Sequence, residues 1–489
     1  MGCAISKLSI CVAVTAWITI AHLPRAAGAQ QSDKPNIIFI WADNLGYGDL
    51  ACFGSTKHRT PNIDRMAEEG MKLTNFYAAA TVCTPSRAAL MTGSYPRRVG
   101  LDWTDPDGVV LRPVSPNGLH PDEVTIAEVL KEGGYATAHI GKWHLGDQPA
   151  FLPTRQGFDY YFGIPYSDDM TPDKRPAGEW PPLPLMRNEE VIEAQPDRNL
   201  LTKREADETI RFIKENRNRP FFIWLSQAMP GSTNRPFASE SFQGRSANGP
   251  YGDSVEELDW AVGQILRALD DLGLENRTLV IYASDNGAVS PSPARPEGQH
   301  GSNAPLSGFC NSIMMEGGMR VPFVARWPGT IPAGRVSDEL ATTMDMLPTF
   351  AHLGRGNVPR DRIIDGHDIW PLLAAEPGAK SPYVAFFYYH RSQLLAVRSG
   401  KWKLQLPLPE QAEVGGATQK NPAGLYDLTA DIGETRDLSR QHPAIVAQLS
   451  KLLEQAREDL GDGSRTGSGQ RPVGRVENPR PQLLTGQPE

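Results

Sequence analysis

The 489-residue chain has little cysteine, no excess of basic residues and a single long apolar run. Its 49 Lys and Arg against 57 Asp and Glu give a formal charge of −8, which excludes a protein that binds nucleic acid through bulk positive charge. Five cysteines are too few for a disulfide scaffold. A hydrophobic fraction of 40% is ordinary for globular proteins, so we expect a sizeable core.

The single long apolar run lies near the N-terminus, where Leu8–Ala21 follows Lys7. The run is too short for a comfortable membrane span, and Ala27-Gly28-Ala29 supplies small residues before Gln30, as a signal peptidase requires. The sequence therefore predicts a signal peptide over residues 1–29, with a membrane anchor as the alternative. We expect an exported protein, periplasmic or extracellular, without a stable membrane anchor.

Continuous apolar runs alternate with amphipathic stretches along the first 370 residues. The runs Pro35–Trp41, Phe221–Leu225 and Thr278–Ala283 are apolar without alternation, which is typical of strands buried on both faces. Ser254–Leu274 has its apolar residues at helical spacing. Strands that alternate with helices predict an α/β layer fold, here in a catalytic domain of residues 30–370. Further helices are predicted at residues 63–70, 125–133 and 201–214.

The sequence pattern changes after residue 370. Three β-prone segments and an amphipathic helix follow, at residues 383–389, 394–398, 401–406 and 445–460. They predict a C-terminal α+β subdomain, residues 371–460, with a small antiparallel sheet and one helix. Residues 461–489 are rich in Gly, Ser, Arg and Pro with few apolar side chains, which predicts a disordered tail.

Two of the apolar runs end in Asp-Asn pairs. Asp43-Asn44 follows the first run, and Asp285-Asn286 follows the run that ends at Ala283. Ligands of α/β folds collect at the carboxyl ends of the strands, and oxygen-bearing side chains suit a hard cation such as Ca²⁺. An Asp-Asn pair after a strand can also simply form a turn or cap a helix. One pair would be uninformative, and two favour a metal site.

The segment Cys83-Thr84-Pro85-Ser86-Arg87 resembles the Cys-x-Pro-x-Arg signature of the sulfatase family. Other segments match the family in the same order, namely Ala42–Asp49, Thr60–Asp64, Ser86–Gly93, Gly141–Gly146, Ser284–Gly287 and Glu316–Gly318. The resemblance runs from Pro35 to about Leu460. It implies an alkaline-phosphatase-like fold with a large mixed sheet flanked by helices, and a sulfuric ester hydrolase. Gly163–Ser167 is similar to the arylsulfatase branch that includes glycan sulfatases.

The resemblance assigns roles to individual residues. It implies that Cys83 is oxidised to formylglycine by a formylglycine-generating or sulfatase-maturing enzyme. Catalytic roles fall to Cys83, Arg87, Lys142 and His144, and a weaker match makes Ser167 a sulfate contact. The implied Ca²⁺ ligands are Asp43, Asn44, Asp285, Asn286 and the modified Cys83. A cation and fixed positive side chains would offset the charge of a sulfate ester, so we expect a sulfated carbohydrate or aryl sulfate as substrate.

Spacing within the two central motifs agrees with this assignment. Arg87 lies four residues after Cys83, which is one helical turn, so both side chains can face one pocket. Lys142 and His144 alternate in Gly-Lys-Trp-His, so an extended backbone would direct both to one face.

Three positions depart from the family pattern. Asn44 stands where the family usually has Asp, which removes one negative charge from the expected metal site. Gly231 stands where a His usually protonates the leaving oxygen, and Phe309–Met315 lacks the usual sulfate-binding Lys. His300 is a candidate substitute acid, although a surface loop histidine is the simpler interpretation. Without a general acid, rates should depend steeply on the basicity of the leaving group.

Two other functions stay open at this point. A hydrolase of phosphodiesters or phosphonates could use the same aldehyde on the same fold. Alternatively, the loss of the His and the Lys could leave a sulfoglycan-binding protein without turnover. Parallel assays on sulfate and phosphate esters would identify the first alternative, and binding without sulfate release in protein that carries formylglycine would identify the second.

Overall fold

The computed structural model describes residues 1–2, 34–174, 180–233, 235–291, 299–312, 314–408 and 423–486. The predicted signal peptide lies outside these ranges except for its first two residues. Each helix within the ranges is too short or too polar to span a membrane.

The described residues contain twenty β-strands and nine α-helices. The strands are β1 (Asn36–Asp43), β2 (Met71–Leu73), β3 (Phe76–Tyr77), β4 (Asn117–Gly118), β5 (Ala136–Gly141), β6 (Tyr160–Gly163), β7 (Pro184–Arg187), β8 (Glu190–Ala194), β9 (Phe221–Pro230), β10 (Thr278–Ser284), β11 (Phe323–Arg326), β12 (Arg335–Ser337), β13 (Ala341–Thr342), β14 (Phe386–His390), β15 (Gln393–Ser399), β16 (Trp402–Gln405), β17 (Gly424–Asp427), β18 (Gly461–Asp462), β19 (Arg465–Thr466) and β20 (Gly474–Arg475). The helices are α1 (Pro61–Glu69), α2 (Cys83–Thr92), α3 (Ile126–Glu132), α4 (Leu201–Asn216), α5 (Gly249–Asp271), α6 (Glu316–Met319), α7 (Met346–Gly354), α8 (Trp370–Leu373) and α9 (Pro443–Asp459).

A ten-stranded mixed sheet forms the centre of the catalytic domain. Its order is β12-β2-β11-β10-β1-β9-β5-β6-β7-β8. The run from β10 to β6 through β1, β9 and β5 is parallel, while β11, β7 and β8 pair antiparallel to their neighbours. The predicted α/β class and the large mixed sheet are confirmed.

Helices cover both faces of this sheet. In β1 the side chains of Ile37 and Phe39 alternate with those of Ile38 and Ile40, and the two sets belong to different apolar clusters. One cluster includes α3 and α7, and the other includes α1, α4 and α5. Burial on both faces explains why β1 is apolar without alternation.

The C-terminal subdomain has the predicted composition of elements. Strands β14 to β17 form a four-stranded antiparallel sheet in sequence order. Helix α9 packs on this sheet through Leu449, Leu453 and Ala456.

The prediction of a disordered tail from residue 461 is wrong for the described residues up to 486. Strands β18 and β19 form a short hairpin, and β20 pairs with β4 of the catalytic domain. Arg471 forms an ion pair with Glu123, at 2.6 Å between Nε and Oε1. The tail is held by ion pairs and backbone hydrogen bonds to the catalytic domain, and an apolar count does not register such contacts.

Candidate active site

Two aspartates at neighbouring strand ends form the floor of the site. Strands β1 and β10 are parallel with Ala42 opposite Ser284, so the residues that follow, Asp43 and Asp285, emerge side by side. The Asn44 backbone N–H donates to Oδ1 of Asp285 at 2.9 Å, which links the two strand ends. Both carboxylates are fully buried.

Arg87 and Lys142 place two positive charges against these carboxylates. Arg87 Nη2 lies 3.2 Å from Oδ1 of Asp43 and 2.9 Å from Oδ2 of Asp285, and Lys142 Nζ lies 2.8 Å from Oδ1 of Asp43. Burial alone would raise the pKa of Asp43, but Lys142 and Arg87 outweigh it and hold that pKa below its usual range. Two cations thus balance two carboxylates, so a bound divalent ion would make the site net positive and favour an anionic ester.

Cys83 begins helix α2 and contacts one of these carboxylates. Its Sγ lies 3.3 Å from Oδ1 of Asp43, and Arg87 reaches the cluster one turn later, as the spacing predicted. Val82, which precedes the helix, provides no side-chain cap, so N–H groups of the first turn can bind an anion. Burial and the charge of Asp43 raise the pKa of the Cys83 thiol well above its usual range. The unmodified thiol is therefore a poor nucleophile.

Part of the predicted ligand set fits a metal ion. One ligand atom each from Asp43, Cys83 and Asp285 lie within 4.8 Å of one another. Oδ1 of Asn286 is buried and has no hydrogen-bond partner among the described residues, as expected of an oxygen reserved for a cation. Asn44 is placed differently, since its Oδ1 accepts a hydrogen bond from Nδ2 of Asn286. A mainly oxygen donor set fits a hard cation such as Ca²⁺.

His144 is buried near Lys142 in a single tautomer. Its Nε2 lies 2.9 Å from the carbonyl oxygen of Leu111, which can only accept, so Nε2 carries the hydrogen and Nδ1 is bare. Nδ1 has no partner within the described ranges. Burial and the charges of Lys142 and Arg87 lower the pKa of His144 well below its usual range. His144 is therefore neutral and offers a proton acceptor.

Of the two predicted substrate contacts, one joins the cluster. Lys142 Nζ lies 3.2 Å from Ser167 Oγ, so the Ser167 hydroxyl hydrogen can point to a substrate. His300 is partly buried, and its Nδ1 lies 2.7 Å from the carbonyl oxygen of Gly301. Within the described ranges, we find no hydrogen bond or ion pair between the His300 ring and the cluster. The prediction that His300 replaces the missing acid gains no support from its contacts.

Gly231 lies over the floor of the site beside an unpredicted carboxylate. Its N–H donates to the carbonyl oxygen of Asp43 at 2.9 Å, and its φ of +68° favours glycine. A Cβ atom here would lie 3.1 Å from Oδ1 of Asp168 and 3.6 Å from Oδ2 of Asp43. The sequence did not single out Asp168. Its position directly after Ser167, a predicted sulfate contact, was the one feature of the sequence that could have identified it as a candidate site residue.

The loop before Glu316 carries no lysine to the cluster. Asn311 in this loop donates its N–H to the carbonyl oxygen of Thr81 at 2.9 Å, and its Oδ1 is buried without a partner among the described residues. Lys403 approaches from the C-terminal sheet, but its Nζ is held by Glu316 and Glu434 at 2.9 and 2.7 Å. Lys403 therefore balances buried acids and does not replace the missing sulfate contact.

A large mixed sheet with this cluster at its carboxyl edge defines an alkaline-phosphatase-like hydrolase. More narrowly, the chain belongs to the sulfatase family, since the family model for sulfatases matches residues 35–356. The model for the C-terminal region of aryl-sulfatases matches residues 381–473. The chain is accordingly a sulfuric ester hydrolase.

Named relatives extend over most of the chain. Steryl-sulfatase of Mus musculus is 37% identical over 522 residues, which cover 88% of this chain and 82% of the relative. Arylsulfatase A of Homo sapiens is 38% identical over 473 residues, covering 88% and 89%. N-acetylgalactosamine-6-sulfatase of Canis lupus familiaris is 39% identical over 414 residues, covering 80% and 76%.

Solved structures share the same architecture. The PsFucS1 sulfatase from Pseudoalteromonas sp. aligns with a TM-score of 0.73 at 28% identity, covering 87% of this chain and 90% of that chain. Ps i-CgsB in complex with k-i-k-neocarrahexaose aligns with a TM-score of 0.71 at 28% identity, covering 89% and 95%.

Proposed function

We propose that this enzyme hydrolyses sulfate esters of carbohydrates with a formylglycine made from Cys83 and a bound Ca²⁺. The observation that carries the proposal is the convergence of Arg87 and Lys142 on Asp43, 3.3 Å from the Cys83 sulfur. The nucleophile at position 83, two fixed cations and an oxygen-rich cluster thus lie together. Displacement at the sulfur of an anionic ester requires these groups in one place.

Each implied group has a place in this cluster. Asp43, Asp285 and Asn286 would hold Ca²⁺, which would supply positive charge to the sulfate oxygens. The hydrated aldehyde at position 83 would supply an oxygen nucleophile, which the protonated thiol of an unmodified cysteine cannot supply.

The remaining side chains bind the sulfate group and move protons. Arg87 and Lys142 offset its negative charge, and Lys142 Nζ orients the Ser167 hydroxyl at 3.2 Å so that it can donate to a sulfate oxygen. Nδ1 of His144 accepts a proton, because Nε2 is committed to the Leu111 carbonyl oxygen.

A carbohydrate substrate is supported by a neighbouring cavity and by two relatives. Arg198, whose Nη1 donates to the backbone oxygen of Asp168 at 3.0 Å, lines a cavity of about 540 Å³ together with Asp173, Gln195, Asp197 and Phe237. The wall mixes these polar side chains with Pro172, Leu183 and Pro196, and its hydrogen-bonding groups can bind the hydroxyl groups of a sugar. The canine relative is an N-acetylgalactosamine-6-sulfatase, and Ps i-CgsB was solved with a hexaose.

Export is a further part of this proposal. The apolar run Leu8–Ala21 and the small residues 27–29 support a signal peptide that ends before Gln30. N-terminal sequencing of the mature protein should then begin at Gln30. A formylglycine-generating or sulfatase-maturing enzyme would act on the chain as a partner.

Mass spectrometry of the Cys83 peptide, followed by sulfate release from a panel of sulfated glycans, tests the proposal. We expect a formylglycine mass at position 83 and release that Cys83→Ala abolishes without loss of folding. Cys52→Ala is the matched control, since this other free cysteine packs against an apolar cluster of the sheet and has no assigned role. Equal activity of Cys83→Ala and wild type would contradict the mechanism.

Parallel assays separate the two alternative functions. Faster turnover of phosphate or phosphonate esters than of any sulfate ester would favour the phosphoryl hydrolase. Tight glycan binding without release, in protein that carries formylglycine, would favour the binding protein.

A further inference from the structure

The carboxylate of Asp168 lies where a side chain at position 231 would project. A Cβ on Gly231 would approach Oδ1 of Asp168 to 3.1 Å and Oδ2 of Asp43 to 3.6 Å. Asp168 thus borders the same side of the cluster as Gly231, the position at which the family resemblance implies a histidine acid. The Asp168 carboxyl group therefore lies beside the site, close to where the side chain of a histidine at position 231 would begin.

The surroundings of Asp168 distinguish it from a structural carboxylate. It is fully buried, and neither of its oxygens has a hydrogen-bond partner among the described residues. The nearest cation is Arg198, with Nη1 4.0 Å from Oδ2. Buried structural carboxylates are normally satisfied by hydrogen bonds, so an unsatisfied one beside a reaction site suggests a ligand-directed role. Its burial resembles that of Cys83 and Lys142, which are 6% and 0% exposed.

We propose that Asp168 is a catalytic residue that protonates the leaving oxygen, in place of the histidine absent at Gly231. This inference rests on the proposed sulfatase function and identifies one further residue in the same reaction.

The charges around Asp168 agree with a protonated carboxyl group. Burial and the negative charges of Asp169 and Asp43 raise the pKa of Asp168, while the positive charges of Lys142 and Arg198 lower it. The net result is a pKa of about 8. This direction of shift favours the protonated form of the carboxyl group, which is the form that can donate.

The proton transfer balances without any additional reactant. As the bond between sulfur and the leaving oxygen breaks, its electron pair stays on that oxygen, which takes the hydrogen from the Asp168 carboxyl group. The alcohol departs neutral, and Asp168 is left as a carboxylate close to the Arg198 guanidinium. The proton that the attacking hydroxyl group releases enters the solvent, and Asp168 regains a proton from solvent before the next turnover.

The decisive measurement is the dependence of rate on the leaving group in Asp168→Asn. Asparagine keeps the size and neutrality of the protonated side chain but cannot supply an acidic proton. General acids contribute about 10²–10⁴-fold, so we expect a loss of that order for phenyl sulfate and sulfated sugars. With 4-nitrophenyl sulfate, whose leaving group needs little protonation, the rate should change far less. His300→Ala is the control and should keep the wild-type dependence.

Several results would overturn the assignment. An unchanged dependence in Asp168→Asn, or an equal loss for every ester, would exclude proton donation by Asp168. A steeper dependence in His300→Ala would assign the role to His300. Absence of sulfate release by wild-type enzyme from every ester would contradict the sulfatase function instead. If Asp168→Asn does not fold, Asp168→Glu provides the test, because a displaced acid should retain part of the rate on phenyl sulfate.

Discussion

Lys403 of the C-terminal sheet donates to Glu316 of the catalytic domain, with Nζ 2.9 Å from Oε1. Its Nζ also lies 2.7 Å from Oε1 of Glu434, and all three side chains are almost fully buried. Glu316 begins α6, directly after the loop that borders the cluster. The small sheet therefore supports the active-site loop through buried charge.

Replacing Lys403 by Met should strongly destabilise the protein. The change leaves Glu434 without its cation, and removal of one partner of a buried pair typically costs about 3–5 kcal/mol. Lys401→Met is the matched control, because the Lys401 side chain, which pairs with Asp427, is itself half exposed and pairs made by exposed side chains contribute about 0–1 kcal/mol. Chemical denaturation of both variants measures the difference, and equal losses would contradict a supporting role for the buried pair.

The same cluster makes a prediction about acid stability. Burial alone would raise the pKa of Glu316, but the charges of Lys403, Arg398 and Arg320 outweigh it and hold that pKa at about 2. A lowered pKa contributes stability that is present above the unfolded value and is lost as pH falls through the folded value. The stability advantage of wild type over Glu316→Gln should therefore be constant above about pH 5 and shrink toward pH 2. An advantage independent of pH would contradict this assignment.

The sequence predicted correctly those features that depend on the residues of a single strand or helix. The strand Asn36–Asp43 contains most of the predicted run Pro35–Trp41. The helix Gly249–Asp271 overlaps the predicted Ser254–Leu274 but begins five residues earlier, and α2 provides the one-turn spacing expected for Cys83 and Arg87. Asp168 was missed because two acids in a loop carry no spacing signal. Its role depends on Gly231, which is distant in sequence and meets it only in the folded chain.

The tail was predicted wrongly for a similar reason, and it provides a test of long-range contacts. Arg471 Nε and Nη2 reach the two carboxylate oxygens of Glu123 at 2.6 and 3.0 Å. Hydrogen bonds to charged groups contribute about 1.5–3 kcal/mol, so Arg471→Met should lower the free energy of unfolding by that amount. Arg465→Met should change it by about 0–1 kcal/mol, since Arg465 and Glu454 are both half exposed. Equal effects would mean that the tail does not stabilise the fold.

Asn44 allows the metal site to be tested without an activity assay. Asn44→Asp adds a negative charge beside Asp43 and Asp285, so the metal-free protein should melt at a lower temperature. Ca²⁺ should restore the melting temperature and bind about tenfold more tightly than to wild type, because a negative charge next to the ligands Asp43 and Asp285 attracts the cation.

The control for this experiment is Asn117→Asp. Asn117 is buried, and its Nδ2 lies 2.9 Å from Oδ2 of Asp107, so the variant also adds a charge beside a carboxylate but outside the cluster. It should lose stability without recovering it in Ca²⁺. Calcium titration of both variants by calorimetry measures the difference. Identical affinities for wild type and Asn44→Asp would contradict a cation site at the ends of β1 and β10.

Gly231→His tests whether the absent histidine can simply be restored. The φ of +68° at this position costs an L-residue about 1–2 kcal/mol. A Cβ would also lie 3.0 Å from the carbonyl oxygen of Ala228 and 3.1 Å from Oδ1 of Asp168. We therefore expect Gly231→His to be less stable than wild type and to displace Asp168. It should not make the rate less dependent on the leaving group.

Gly244→Ala and Gly231→Ala separate the backbone cost from the steric one. Gly244 has a φ of +73° and nothing within 4 Å of its Cβ direction, so Gly244→Ala carries only the backbone cost. Gly231→Ala should lose more stability than Gly244→Ala and should also turn over phenyl sulfate more slowly, because its methyl group presses on the Asp168 carboxyl group. Equal losses of stability, together with a shallower leaving-group dependence in Gly231→His, would show that the space beside Gly231 is free. The acid would then have to be sought elsewhere than at Asp168.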